Sequence, residues 1–164
     1  MTASPRDVND LVESNPDVRF SCLHLNIRSA RHKQDELSVF LDEFTFELDA
    51  VMLTETCYPC NDEIYKRDGY RSFFVNRSSR NGGGLAILLK NMFDCDILSD
   101  FSFIMNVVEC LTVISKNSIY SAAYRPLDPD LNIFIDFLDR LLIYMNNNKY
   151  NLILGGDFNI DLLK

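Results

Sequence analysis

The sequence predicts an α/β protein in which sheets pack face to face and helices cover their outer sides. Three observations predict it. Short apolar runs bounded by turn residues recur along the chain, and two longer segments carry apolar residues at helical spacing. The order of these elements is strand, helix, strand, a run of strands, helix, strand. With 164 residues, 47% hydrophobic and 24% charged, the chain has the size of one ordinary domain.

Residues 1–17 are polar, include Pro5 and Pro16, and read as a loose lead-in. Residues 18–25 read as a strand, with Phe20, Cys22 and His24 on one face and Leu23 and Leu25 on the other. Asn26 continues the face of His24. In residues 33–44, Leu37, Phe40, Leu41 and Phe44 form the apolar stripe of an amphipathic helix. Residues 50–53 are a second strand, which delivers Thr54 and Glu55 at its end. After the turn-rich stretch 57–68 come strands at 70–75 and 85–89, linked by Asn81-Gly82-Gly83-Gly84, a segment with the dihedral freedom of a hairpin connection. Two further strands, 107–114 and 118–124, are joined through Lys116-Asn117. Residues 131–145 are a helix with Phe134, Phe137, Leu138, Leu141 and Met145 on one stripe and Asp128 or Asp130 near its start. That stripe reads as core packing. Asn146-Asn147-Asn148 ends the helix, and residues 151–154 form a last strand running into Gly155-Gly156. There is no internal repeat and no low-complexity tract.

The 16 basic and 24 acidic residues leave a net charge of −8, which counts against nucleic-acid binding, because phosphate neutralisation dominates that affinity. A local basic patch or a bound divalent cation inverts such a balance. The five cysteines, Cys22, Cys57, Cys60, Cys95 and Cys110, and the polar start at Met1 lead to the expectation of an intracellular, reduced protein. No apolar run approaches a membrane span, so no membrane partner is expected.

Asn26, Glu55 and Asp157 each follow a hydrophobic strand, and Tyr124 ends another. Polar groups at the ends of separate strands can converge on one rim. One strand-end carboxylate is usually a turn former; the joint pattern carries the signal. Mg²⁺ takes few protein ligands and keeps several waters, so the Glu55 carboxylate steadied by the Asn26 amide is a suitable seat. Asp157 is placed to orient or deprotonate a water for in-line attack on phosphorus. Asn159 and Tyr124 are suited to donate to oxygens that gain charge. If extended, Asp157-Phe158-Asn159 turns both polar side chains one way and Phe158 to the core.

The segments CLHLNIRS, LTET, NRSSRNGGGLAILLK, AAYRP and GGDFNID, in that order, resemble the endonuclease/exonuclease/phosphatase domain, and most of all the endonuclease domain of non-LTR (LINE-type) retrotransposons. The resemblance runs from about Phe20 to Leu162. It implies a four-layer, DNase I-like sandwich of two mostly antiparallel sheets flanked by helices. It implies a Mg²⁺- (or Mn²⁺-) dependent phosphodiesterase that nicks target DNA for reverse transcription, with DNA and a downstream reverse transcriptase domain as partners and a nuclear site of action. By motif, Glu55 is then the metal ligand and Asn26 its support; Tyr124 contacts the phosphate, Asp157 positions the water and Asn159 stabilises the transition state. Arg80 and Arg125 are the expected substrate contacts. Two departures stand out. Cys57 takes the place of a usual Trp, and the family's terminal Ser-Asp-His-type motif has no counterpart here. Residues 18–164 are therefore expected to be the N-terminal portion of such a domain, poorly soluble and inactive on DNA when alone.

Other readings are weighed beside this one. A non-catalytic truncated remnant, serving as a scaffold or binding module, is the main alternative. Cys57-Tyr58-Pro59-Cys60 matches a redox Cys-Xaa-Xaa-Cys, but no amphipathic helix follows to lower a thiolate pKa, and no second Cys or Cys/His pair completes a zinc site; a reduced, metal-free loop is expected. His24 reads as a packed rim histidine. Gly82-Gly83-Gly84 lacks the Gly-Lys-Ser/Thr of a phosphate-binding loop. Arg77, with Arg80 and Arg125, is balanced between touching phosphate and being a solvated surface charge.

Overall fold

Ala50–Thr54 (β2) is buried along its whole length, and its side chains alternate between two cores. Ala50 and Met52 face a second sheet, while Val51 and Leu53 face a helix. The computed structural model describes residues 4–15, 17, 20–57, 66–77, 82–127 and 130–160. Around β2 the first sheet has the order β1-β2-β4-β3, with β1 Cys22–Asn26, β3 Tyr70–Val75 and β4 Leu85–Lys90. β1 runs parallel to β2; β4 is antiparallel to β2 and to β3. The second sheet contains β5 Cys95–Ile97, β6 Phe103–Ile104, β7 Glu109–Ser115, β8 Ser118–Tyr124 and β9 Asn151–Asp157, in the order β5-β7-β8-β9 with β6 also on β7. All its pairings are antiparallel except β8 with β9.

The layers follow from period-2 alternation on strands and period-3.6 stripes on helices. Between the sheets, Met52, Ile87 and Leu89 pack with Leu111, Val113, Tyr120 and Ala122. On the outer face of the first sheet, helix Gln34–Asp42 lays Leu37, Phe40 and Leu41 over Val51, Leu53, Ala86 and Leu88. On the outer face of the second, helix Leu131–Asn148 lays Phe134, Phe137, Leu138, Leu141 and Met145 over Cys110, Ile119 and Ala123. The result is helix, sheet, sheet, helix. Each fully buried aliphatic side chain in these layers contributes about 1.5–3 kcal/mol. Among the described residues, no helix is long and apolar enough to cross a membrane.

The structure differs from the sequence reading in three places. The expected lead-in contains a helix, Pro5–Glu13. Ser4 and Asp7 form a reciprocal capping box, with the Ser4 N–H donating to the Asp7 carboxylate at 2.8 Å and the Asp7 N–H to the Ser4 hydroxyl at 3.3 Å. The helix is docked by buried Asn9, which donates to the Glu43 carbonyl and accepts from the Thr45 N–H. In chain order the helices are thus α1 (Pro5–Glu13), α2 (Gln34–Asp42) and α3 (Leu131–Asn148). The span between β4 and β7 holds β5, a 3-10 turn Ser99–Phe101 and β6, none of which has a strong apolar period. Finally, β9 does not stop at Leu154 but runs through both glycines to Asp157. Gly155 faces β1 and β2, where a Cβ would come within 2.8 Å of Met52 Sδ, and a Cβ on Gly156 would strike the Ala123 carbonyl. The two glycines let this strand approach its neighbours closely on both faces.

Candidate functional site

Two parallel pairs set the site. Asn26 ends β1 opposite Thr54, and Tyr124 ends β8 opposite Asp157. Beyond Thr54 the pairing continues without regular strand geometry: Ile27 N–H donates to the Thr54 carbonyl, Ser29 N–H to Glu55 and Ala30 N–H to Thr56. From the other side, Thr56 N–H donates to the Gly84 carbonyl at 3.2 Å and Cys57 N–H to Gly83 at 2.9 Å. Glu55 is held between these two seams with φ +54°, a left-handed conformation costly for a residue with a Cβ. Of the six described non-glycine residues with positive φ, Arg28, Ser29, Glu55, Cys57 and Asn159 belong to the segments forming this rim. Strain concentrated in this way is typical of functional sites.

The side chains meet across the gap between the sheets. Asn26 Nδ2 donates to an Asp157 carboxylate oxygen at 2.8 Å, and the other oxygen accepts from the Asn159 N–H at 3.3 Å. The Tyr124 hydroxyl bonds to the Glu55 carboxylate; burial first, then the charge of Glu55 and that bond, push its pKa up to about 12. At neutral pH it is therefore a donor. Asn26, Glu55, Tyr124, Asp157 and Asn159 are all half-buried. The five residues expected to form the site come together on one rim.

One of the two expected substrate contacts, Arg125, has different surroundings. Arg125 is 8% exposed, and its guanidinium donates to the carbonyls of Phe158 (2.8 Å) and Asn159 (2.6 Å). It clasps the Asp157–Asn159 turn from within instead of facing solvent. Asn159 returns the bond, donating to the Arg125 carbonyl at 2.7 Å, because its φ of +47° turns it out of the extended geometry expected for it. Phe158 packs on Phe134, as its place between two polar residues suggested. Arg80 and Cys60 lie outside the described residues. The Cys57 thiol donates to the Glu55 carbonyl at 3.4 Å.

Sequence reasoning missed Glu109. This carboxylate is fully buried at the start of β7, opposite Tyr124. It accepts from Arg77 and, at 2.6 Å, from the Gly84 N–H. Arg77 is thus an ion-pair partner, not a solvated surface charge. A lone acid opening the apolar run ECLTVI was the only available signal. His24, on the same face as Asn26, contacts Thr54 Oγ1 at 3.2 Å; burial lowers its pKa and the nearby Asp157 charge partly offsets this.

The fit of a divalent cation can be judged on the donor set. Among the described residues, no three His, Cys, Asp or Glu side chains gather into a site of their own. Mg²⁺ does not need such a cage, since one or two carboxylates with waters suffice. Glu55 supplies a carboxylate, and Asn26 Oδ1 is a buried hard oxygen with no hydrogen-bond partner among the described residues. An orphaned acceptor beside a carboxylate suits a hard cation. A cavity of about 330 Å³ lies between the end of β1 and α2, lined by Leu25, Asn26, Ile27, Lys33, Glu36, Leu37 and Phe40. A larger cavity, about 610 Å³ beneath the end of α2 and beside Arg67 and Tyr70, lies away from the rim.

This layered fold is that of the DNase I-like enzymes. The chain belongs to the endonuclease/exonuclease/phosphatase family, whose model matches residues 15–163. No curated protein matches it in sequence. Among solved structures, it is similar to the endonuclease domain of TRAS1, a telomere-specific non-LTR retrotransposon, with 16% identity and TM-score 0.60. That match covers 87% of this chain and 60% of the other. The AP endonuclease LMAP from Leishmania major gives 15% identity and TM-score 0.62, covering 86% of this chain and 55% of that one. The 3′ phosphatase NExo from Neisseria, bound to a product DNA hairpin, gives 14% identity and TM-score 0.55, covering 85% and 56%. The chain thus spans a little over half the length of these neighbours.

Proposed function

We propose that this chain carries the metal-binding and water-activating half of a phosphodiesterase that nicks DNA, in the manner of a non-LTR retrotransposon endonuclease. The observation that carries the reading is the meeting of two pairs from opposite sheets, Asn26 with Asp157 and Glu55 with Tyr124, around the unpartnered Asn26 Oδ1. A Mg²⁺ or Mn²⁺ ion held by Glu55 and Asn26 supplies charge neutralisation at the scissile phosphate. Asp157 orients a water and takes its proton as the water oxygen bonds to phosphorus, while the opposite P–O bond breaks and the departing sugar oxygen takes a proton from solvent water. The Asn26 amide fixes the Asp157 carboxylate in one rotamer for that step. Tyr124, protonated at neutral pH, gives its single O–H to Glu55 here and turns that donor to a phosphate oxygen when the cation occupies Glu55. Arg125 and Asn159 act by locking the turn that presents Asp157.

The neighbours named above include a retrotransposon endonuclease and a phosphatase bound to DNA, which supports DNA as the substrate. The test is nicking of supercoiled plasmid in Mg²⁺. Because the chain spans 60% of the TRAS1 endonuclease domain, the assay joins residues 1–164 to the C-terminal portion of a related domain. Asp157→Ala and Glu55→Ala should each lower nicking by at least about 100-fold, the size of lost acid–base or electrostatic help. Nicking that survives both substitutions would overturn the reading.

A further inference from the structure

We propose that the buried Arg77–Glu109 ion pair is a positioning device for the Glu55 carboxylate, acting through the Gly83–Gly84 backbone and through Tyr124. The inference rests on the reading of Glu55 as the cation ligand. Arg77 donates from Nε and Nη2 to one Glu109 oxygen, and the Gly84 N–H donates to the other at 2.6 Å. Both oxygens of a carboxylate with no solvent exposure thereby have donors. From Gly84 the path continues by hydrogen bonds, since the Gly84 carbonyl accepts from Thr56 and the Gly83 carbonyl from Cys57. These two amides are the first and second after Glu55. They hold a backbone whose left-handed φ would otherwise relax.

A second path runs through side chains. Glu109 and Tyr124 are cross-strand partners on the face between the sheets, and Tyr124 bonds to Glu55. Glu109, with Arg77 bonded to it, therefore sits beside Tyr124. Glycine at position 83 is part of the device. Its φ is +70°, and a Cβ there would strike both Arg77 Nε and Glu109 Oε1. A buried ion pair adds little net stability, because desolvation offsets attraction. It does impose a fixed geometry, and here that geometry is transmitted to one acid.

The experiment uses the full chain, residues 1–164, and two readouts. Amide hydrogen exchange by NMR follows Thr56 and Cys57 against Tyr120 and Ala122 on β8. In Glu109→Gln and in Gly83→Ala, protection of Thr56 and Cys57 should fall at least about tenfold while the β8 amides change less than about twofold, as in local opening. Arg77→Lys, which keeps the charge but not the fork, should fall between wild type and Glu109→Gln. Leu141→Ala, which loosens α3, should reduce protection without this selectivity. Unchanged Thr56 and Cys57 amides, or a parallel loss on β8, would overturn the proposal. The second readout is Mn²⁺ affinity, which Glu109→Gln should weaken by about tenfold, the usual effect of losing support behind a ligand. Wild-type chain that fails to bind Mn²⁺ would sink the cation reading and leave exchange to judge the clamp.

Discussion

His24 is half-buried beside Thr54 and near the Asp157 charge, and its burial lowers its pKa below 6.5. In the unfolded chain the imidazole takes its proton near 6.5, whereas in the folded chain it does so only at lower pH. Between those values unfolding takes up a proton, so stability falls as pH drops below about 6.5 and levels off under the folded pKa. His24→Gln should lose this component; urea midpoints of wild type and variant between about pH 7.5 and 5 should therefore converge as the pH falls. A constant gap would show that His24 has the same pKa in the folded and unfolded states. At Gly156 the issue is space. Alanine there places a methyl against the Ala123 carbonyl and within 2.8 Å of the Phe158 ring. The expected cost is about 1–3 kcal/mol, read as a lower melting temperature.

At the scale of elements, the three helices are stabilised differently. α1 depends on its cap: Ser4 and Asp7 satisfy each other, and only Asn9 is fully buried. Ser4→Ala should cost about 1 kcal/mol and loosen α1 alone, seen as faster amide exchange there. α3 depends on its stripe, where Phe134 and Leu141 are completely enclosed. Leu141→Ala should cost about 2–5 kcal/mol in a single cooperative transition, because that face spans β7, β8 and the Phe158 side of the site turn. A small cost would mean that α3 is not part of the cooperative unit. The strands at the rim are secured by close pairing, with glycines admitting β9 where larger residues would hold it away.

For the molecule as a whole, charge and site pull in opposite directions. A net charge of −8 repels a polyanion, and Arg77 and Arg125 are engaged within the protein. Under the proposed function, a divalent cation bound at the rim would supply local attraction for phosphate. Binding of a short DNA duplex should accordingly be detectable in Mg²⁺ and lost in EDTA, with a salt dependence shallower than that of a basic DNA-binding protein. Fluorescence anisotropy measures this directly, and undiminished binding in EDTA would point to a basic surface in place of the rim.

Local pattern by itself determined the strands around Met52, Ile87 and Tyr120, the stripes of α2 and α3, and the placement of Asn26, Glu55, Tyr124 and Asp157 at strand ends. Period and turn chemistry are short-range properties, so they are written in consecutive residues. The motifs from CLHLNIRS to GGDFNID added the family. α1 escaped notice because a short polar helix is stabilised by one cap and one buried amide, not by a long apolar period. The surroundings of Arg77, Arg125 and Glu109 were decided only by tertiary structure. Arginine in a sequence is equally suited to phosphate, solvent or a buried acid. Which of these it meets depends on partners 32 to 34 residues away, brought close by the pairing of whole strands. The same holds for the Asn26–Asp157 bond, which joins residues 131 positions apart and exists because two sheets, each built from local signals, pack face to face.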